Sequence, residues 1–293
     1  MKMTKAIEFE DVIMTYPDFQ LGPLNFDLEP GRVLGYIGPN GAGKTTTMHC
    51  LAGLVRADQG TMKVFGRENN LYHSDWRFDI GYVGDVHAFY EWWTAEENLR
   101  YFKKFYPNWS DRLTSNLAER LRLPLKKRAK DLSSGNRVKL SLISALAHSP
   151  KLLLLDEPTS GLDPVVRHEV LDTLFEILED GERAIFYSTH ILSDINRLAD
   201  ELAFLVDGQV VLRQEKDELI ENWRRISFWF ERNDIVLDSV VSHTRKGEDH
   251  QVISSDCEKT LQKLRAIGAQ NIRDTRLSID EIAVEIMKDK MSF

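Results

Sequence analysis

Gly38-Pro39-Asn40-Gly41-Ala42-Gly43-Lys44-Thr45 sets three glycines, a lysine and a hydroxyl inside one short segment. Glycine lets a backbone wrap a phosphate chain without Cβ clashes and aim successive N–H groups inward. Lys44 is placed to reach the outer phosphates of a nucleotide, and the Thr45 hydroxyl to ligand Mg2+. The apolar run Val33, Leu34 and Ile37 just before the loop reads as a strand, and a helix is expected to start near Gly43. That helix adds the positive end of its dipole to the same spot. A Gly-rich turn could match by accident, but not with both flanks correct. The segment is read as a nucleotide site.

Leu152-Leu153-Leu154-Leu155-Asp156-Glu157 is an apolar strand ending in two carboxylates. A parallel strand delivers its C-terminal residues to the sheet edge that carries the phosphate loop. Asp156 is then positioned to hold Mg2+ through water, and Glu157 to polarise an attacking water. Adjacent acids after a strand are often only a solvated loop; the phosphate loop tips the reading to function. A GTPase would need an Asn-Lys-x-Asp element, and no Asn here precedes a Lys. A small-molecule kinase would be shorter and carry a lid of arginines.

The elements that must position these groups are mixed. Ile7 to Val12 and Leu24 to Leu28 alternate as half-exposed strands, and Ile80–Val83, Ala184–Tyr187 and Leu202–Val206 join Leu152–Leu155 as apolar strands. Apolar strands separated by helical stretches predict a parallel sheet covered on both faces. Asp163-Pro164 caps a helix closed by Gly181; Ser110 caps another with the stripe Leu113, Leu117 and Leu121. Residues 85–150 read as mainly helical. After about Lys216, strands at Ile226–Phe230 and Gln251–Ser254, a helix at Glu258–Ile267 and the capping box Ser278 to Glu281 predict a small α+β unit. The 293 residues are 42% hydrophobic with a formal charge of −8, which argues against nucleic-acid binding through overall charge. No window approaches about 18 consecutive apolar residues, so no membrane span is expected, and Met1 to Glu10 lacks an apolar signal core. Cys50 and Cys257, without CxxC or zinc spacing, fit a reduced, cytoplasmic setting.

Leu132-Ser133-Ser134-Gly135-Asn136 resembles the LSGGQ signature of ATP-binding cassette (ABC) ATPases, about 20 residues before the Asp156-Glu157 pair as in that family. Tyr16, 22 residues before the loop, resembles the aromatic that stacks on adenine. Ser160-Gly161-Leu162-Asp163 resembles the D-loop, and His190 in Ser188-Thr189-His190 the switch histidine. The likeness covers roughly residues 5 to 215. It implies an α/β fold: a P-loop NTPase core of the ABC-ATPase kind over 1–215, a helical subdomain inserted at about 86–150, and a C-terminal α+β appendage over 216–293. It also implies ATP with Mg2+, bound by Tyr16, Gly38, Asn40, Gly41, Ala42, Gly43, Lys44, Thr45 and Thr46. Glu157 and His190 would then be catalytic. Ser133, Ser134, Gly135 and Asn136 would meet the nucleotide of a second cassette, whether in a homodimer or a heterodimer, with Asp163 in the D-loop. His49, His148 and His168 sit in predicted helices and are left structural or solvated.

Three positions depart from the family pattern. Ser134 stands for Gly, Asn136 for Gln, and Asp85 for the Q-loop Gln. Asp85 is expected to reach Mg2+ with Thr45 and Asp156, altering metal dependence or coupling. After it come Phe89, Tyr90, Trp92, Trp93, Tyr101, Phe102, Phe105, Tyr106 and Trp109. In the family this region receives a helix of the membrane subunit, and aromatics suit such contacts. Phe102 and Phe105 are expected in the core, and at least one of Trp92 and Trp93 at the surface. From Glu96 to Asp131 ten Lys or Arg face five acids, a solvated face or a contact for anionic lipid. The expectation is an exporter ATPase driving a separate multi-span permease, without nucleic acid, cytoplasmic and peripheral on the inner face of the cell membrane. The tail Ser278 to Glu285 resembles those of ABC-2-type exporter cassettes. The alternatives are a soluble cassette acting on ribosome or DNA, and a regulatory module without turnover.

Overall fold

Ile7–Tyr16 (β1) and Phe19–Leu28 (β2) form an antiparallel hairpin in which Tyr16 pairs with Phe19 across the turn Pro17-Asp18. In the computed structural model, which describes residues 4–69, 75–84, 89–178, 181–231 and 235–291, the chain then enters Val33–Ile37 (β3). Lys44–Leu51 (α1) follows the glycine loop, and Gln59–Val64 (β4) and Arg67–Glu68 (β5) extend the hairpin sheet in the order β2-β1-β4-β5. Ile80–Val83 (β6) leads into a helical stretch of Ala95–Phe102 (α2), Asp111–Arg120 (α3) and Ser134–Leu146 (α4). Leu152–Asp156 (β7), Pro164–Leu178 (α5), Ala184–Thr189 (β8), Leu192–Leu198 (α6), Glu201–Val206 (β9) and Gln209–Glu215 (β10) complete the cassette.

The second sheet runs β10-β9-β3-β8-β7-β6, parallel except for β10. Its strands are apolar on both faces because both faces are covered. Leu34, Tyr36, Leu152, Leu154 and Phe186 pack with the hairpin residues Ile7, Phe9, Leu24 and Phe26. Their alternate neighbours Val33, Ile37, Leu153, Leu155, Ile185 and Tyr187 pack with α4, α5 and α6. A period of two thus divides each strand between two cores. The α/β class with a helical insertion and an α+β tail is the architecture observed.

The tail contains Lys216–Asn222 (α7), Arg224–Trp229 (β11), Val240–Lys246 (β12), Asp249–Ser254 (β13), Cys257–Ala266 (α8), Gln270–Arg276 (β14) and Ile279–Met291 (α9). Its sheet is β12-β13-β11-β14, with Ile226, Phe228 and Val252 packed on Leu264 of α8. The sequence did not foretell β4, β5, β10, β12 or β14. The last two are polar edge strands (VVSHTRK and QNIRDTR) formed by pairing rather than by an apolar face. A division at 215/216 is our proposal. Across it, Leu277, Ile279, Ile282, Ala283 and Ile286 join the same apolar cluster as α6 and β9. Glu281 fixes the start of α9 within the tail. The Ser278 N–H and the Arg225 guanidinium hold its carboxyl down at about 2. No described helix is long and apolar enough to cross a membrane.

Two expectations are corrected. Neither phenylalanine is in the core: Phe102 is half-buried on a groove wall, and Phe105 is exposed because α2 stops at Phe102 and the tight turn Lys103–Phe105 swings its ring onto Tyr101, 5.1 Å between centroids. His148 lies beyond α4, not within a helix; Ala147 closes the helix and Ser149 takes a left-handed φ of 53°. It is structural nonetheless: buried, stacked on Tyr106 and bonded through Nε2 to the Ile80 carbonyl at 3.0 Å, with burial pulling its pKa down.

Ile282 is fully buried between the tail and the cassette. Ile282→Ala is expected to lower the unfolding free energy by about 2–5 kcal/mol in a urea titration. An unchanged midpoint would mean that α9 contributes nothing to the cassette.

Candidate active site

Register places the functional residues on one edge. Ile37 pairs with Thr189 and Asp156 with Ser188, so the residues after β3, β7 and β8 leave the sheet side by side. Those residues are Gly38, Glu157 and His190. Val83 pairs with Leu155, bringing β6 to the same edge. Asp85, two residues on, lies outside the described residues.

The loop closes over Lys44. Gly41 and Gly43 take φ of 82° and 107°, a region that side chains disfavour. At Gly38 a Cβ would stand 2.4 Å from the Leu205 carbonyl oxygen, so only glycine lets β9 brace the loop from behind. The buried Lys44 ammonium donates to the Gly38 and Pro39 carbonyls at 2.8 and 3.2 Å. It also lies 3.3 Å from Glu157 Oε1. The other Glu157 oxygen lies 2.8 Å from His190 Nδ1 and accepts the His190 N–H at 3.3 Å. A carboxylate only accepts, so His190 carries its proton on Nδ1 in this arrangement. Glu157 itself takes φ of 50°, unusual for a residue with a Cβ and typical of functional turns.

These groups line a cleft of about 660 Å3 bounded by Tyr16, Phe19, Asn40, Gly41, Gly43, Lys44, Thr45, Thr46, Glu157, Ser160 and His190. Gly38 and Ala42 stand behind it, with the Ala42 carbonyl accepting the Gly208 N–H at 3.1 Å. Sequence reasoning missed Phe19. Its ring is 6.4 Å from that of Tyr16 and abuts Gly43, where a Cβ would meet it at 2.9 Å. The signal was available: an aromatic three residues past Tyr16 must return beside it in a hairpin with a tight turn. Ser188 was also missed as a ligand of Asp156.

Asp156 is buried, and its Oδ1 accepts the Ser188 hydroxyl at 2.5 Å. Its Oδ2 is buried without a hydrogen-bond partner among the described residues. An orphaned carboxylate oxygen in a groove shared with Thr45 fits a divalent cation. Among the described residues no group of three His, Cys, Asp or Glu could hold a metal alone. Mg2+ takes few protein ligands and completes its shell with water and phosphate.

The signature residues stand apart from this cleft. Ser133 and Ser134 are exposed, and Ser133 caps α4 by accepting the Asn136 N–H at 3.3 Å. Gly135 is buried, where a Cβ would stand 2.9 Å from Val166 of α5. Asp163 caps α5, accepting the Val165 and Val166 N–H groups at 3.1 Å each. Behind them Asp194 accepts from Thr159 at 2.5 Å, from Tyr187 at 3.2 Å and from Arg167 Nε at 2.7 Å. Burial, with Asp194 alongside, keeps the Tyr187 hydroxyl protonated well above its usual range.

A second groove of about 590 Å3 adjoins the first at Thr45 and is lined by Asp156, His49, Leu54, Tyr82, Phe89, Phe102, Tyr106 and Ala145 among others. The aromatic segment is therefore split. Phe89, Phe102 and Tyr106 face this groove, whereas Tyr90, Trp92, Trp93 and Phe105 are exposed.

Comparison with known proteins finds relatives of this chain. Residues 21–160 match the family model described as ABC transporter. The chain is 30% identical over 230 residues to the ABC transporter ATP-binding protein YtrB of Bacillus subtilis (strain 168), covering 78% of this chain and 76% of that protein. It is 34% identical to the Nod factor export ATP-binding protein I of Rhizobium etli, covering 74% and 70%. A solved ATP-binding subunit of an ABC transporter superposes with a TM-score of 0.67 at 28% identity, covering 74% and 92%.

Tyr16→Ala is expected to weaken ATP binding by about 1–3 kcal/mol, a Kd raised roughly 5- to 150-fold in calorimetry. An unchanged Kd would remove Tyr16 from the base site.

Proposed function

The chain belongs to the ABC transporter family as an ATP-binding subunit and ATPase, and on that premise we propose that it is the motor of an exporter, driving a separate membrane-spanning subunit. The observation that carries the reading is the split between the two halves of the nucleotide machinery. Lys44, Glu157 and His190 converge on one cleft, while Ser133 and Ser134 are exposed elsewhere on the chain. A second cassette, of the same or another chain, supplies its signature residues to this cleft. ATP is then the glue between the two, and hydrolysis loosens them.

Each residue has a role in this proposal. Tyr16 and Phe19 stack the base; Asn40 to Thr46 cradle the phosphates; Thr45 and Asp156 would hold Mg2+, and Asp85 would join them. The cation would neutralise charge on the phosphate oxygens during transfer. Lys44 is tied to Glu157 in the resting arrangement. Phosphates offer Lys44 a stronger anionic partner, and its departure frees Glu157 to take a proton from the attacking water. His190 holds the carboxylate in place meanwhile. With its proton on Nδ1, the His190 Nε2 is an acceptor, and it donates to a phosphate oxygen only in the other tautomer.

The groove that meets the cleft at Thr45 supports the transport half of the reading. Phe89, Phe102 and Tyr106 give it aromatic walls fit for an inserted helix of the membrane subunit. Export is supported by the similarity to a protein named for Nod factor export. The chain would then work in the cytoplasm, peripheral on the inner face of the membrane.

Glu157→Gln is expected to lower ATP turnover at least about 100-fold and to accumulate an ATP-bound dimer in size-exclusion chromatography. Wild-type turnover in that variant would take Glu157 out of the chemistry.

A further inference from the structure

The outer half of the aromatic segment is a built surface. Trp92 is 68% exposed, Phe105 55%, Tyr90 46% and Trp93 38%. Exposed residues of this size are usually scattered; Tyr90, Trp93 and Phe105 instead meet around Tyr101 in one patch, and Trp92 is next in sequence to Trp93. Tyr90 stacks on Trp93 at 4.3 Å, and Tyr101 meets both edge-on at 5.0 and 5.5 Å. Contiguous exposed aromatics mark an interaction site.

Its charges are sorted as well. The Lys130 ammonium lies 3.6 Å over the Trp92 ring, and Arg100 and Lys104 border a hollow of about 370 Å3 with Trp93 and Tyr101. Three neighbouring acids already have partners, Arg100 being one of those of Glu96. Glu91 is held by both Arg137 nitrogens at 2.8 Å, Glu97 by the Thr94 N–H and hydroxyl, and Glu96 by Lys126. Among the described residues, Lys104 and Lys130 have no carboxylate partner. What the surface offers outward is aromatic rings with the ammonium groups of Lys104 and Lys130 beside them.

We propose that this patch rests on the headgroup layer of an anionic lipid bilayer. Trp and Tyr favour that layer because each ring has an apolar body and a polar tip. Lys and Arg beside them gain from the negative surface of the cytoplasmic leaflet. The patch is continuous with the groove: Phe102 faces the groove and its ring is 6.0 Å from that of Tyr101 in the patch. Which way the patch faces rests on the transporter reading, since a groove that receives the membrane subunit turns this side toward the bilayer. The contact would steady the motor against the membrane while the groove transmits its movement.

The test is flotation of the full chain with phosphatidylcholine vesicles, with and without phosphatidylglycerol, across a salt series. Binding should require phosphatidylglycerol and weaken with salt. Lys104→Gln with Lys130→Gln should lower the partition coefficient about 30-fold. Trp92→Ser with Trp93→Ser should also lower it, with basal ATPase unchanged in both. Equal or absent binding to the two vesicle types, or variants that bind like wild type, would overturn the proposal. The vesicles contain no protein, so this failure is separable from that of the transporter reading. Should wild type ignore the vesicles while Trp92→Ser with Trp93→Ser loses a co-purifying membrane protein, the patch docks protein and the lipid proposal falls.

Discussion

The Glu157 carboxylate, gripped between the Lys44 ammonium and the His190 ring, joins the ends of three parallel strands. None of these residues could reach the others from separate faces of a fold. The register of β3, β8 and β7 makes the meeting possible, and the two apolar cores keep that register fixed. A slip of one residue would turn each strand's core positions over and carry the carboxylate away from the loop. The chemistry is therefore a consequence of how Leu, Ile and Phe alternate along strands that never touch nucleotide.

The same interaction makes the cleft responsive. Lys44 satisfies two carbonyls of its own loop and one carboxylate, all of which a polyphosphate can replace. Thr45 lines both the cleft and the groove, and Asp156 lines the groove beside it, so the two cavities meet at a single side chain. Asp194 ties the helix after Asp163 to the helix after His190 through Arg167, giving the two loops one buried anchor.

Much of this was legible in the residues. The phosphate loop, the Asp156-Glu157 strand end and His190 were readable because their chemistry tolerates few residue types at few spacings. Caps at Ser110, Asp163 and Ser278 were readable because a helix start has local needs, and each forms as expected. What was not legible depends on tertiary pairing. The polar strands β12 and β14 have no apolar face to betray them, Phe105 turns outward only because a helix ends early, and Phe19 joins the cleft through a hairpin turn. The division of the aromatic segment into groove and patch likewise follows from packing, since both halves read alike in sequence.

The account stands most directly on what the groove receives. Affinity isolation of the tagged protein from detergent-solubilised native membranes, with partners identified by mass spectrometry, addresses it in one step. The account predicts a multi-span membrane protein in stoichiometric amount. Recovery only from the soluble fraction, with ribosomal or DNA-associated partners, would contradict it and leave the ATPase chemistry without a transporter.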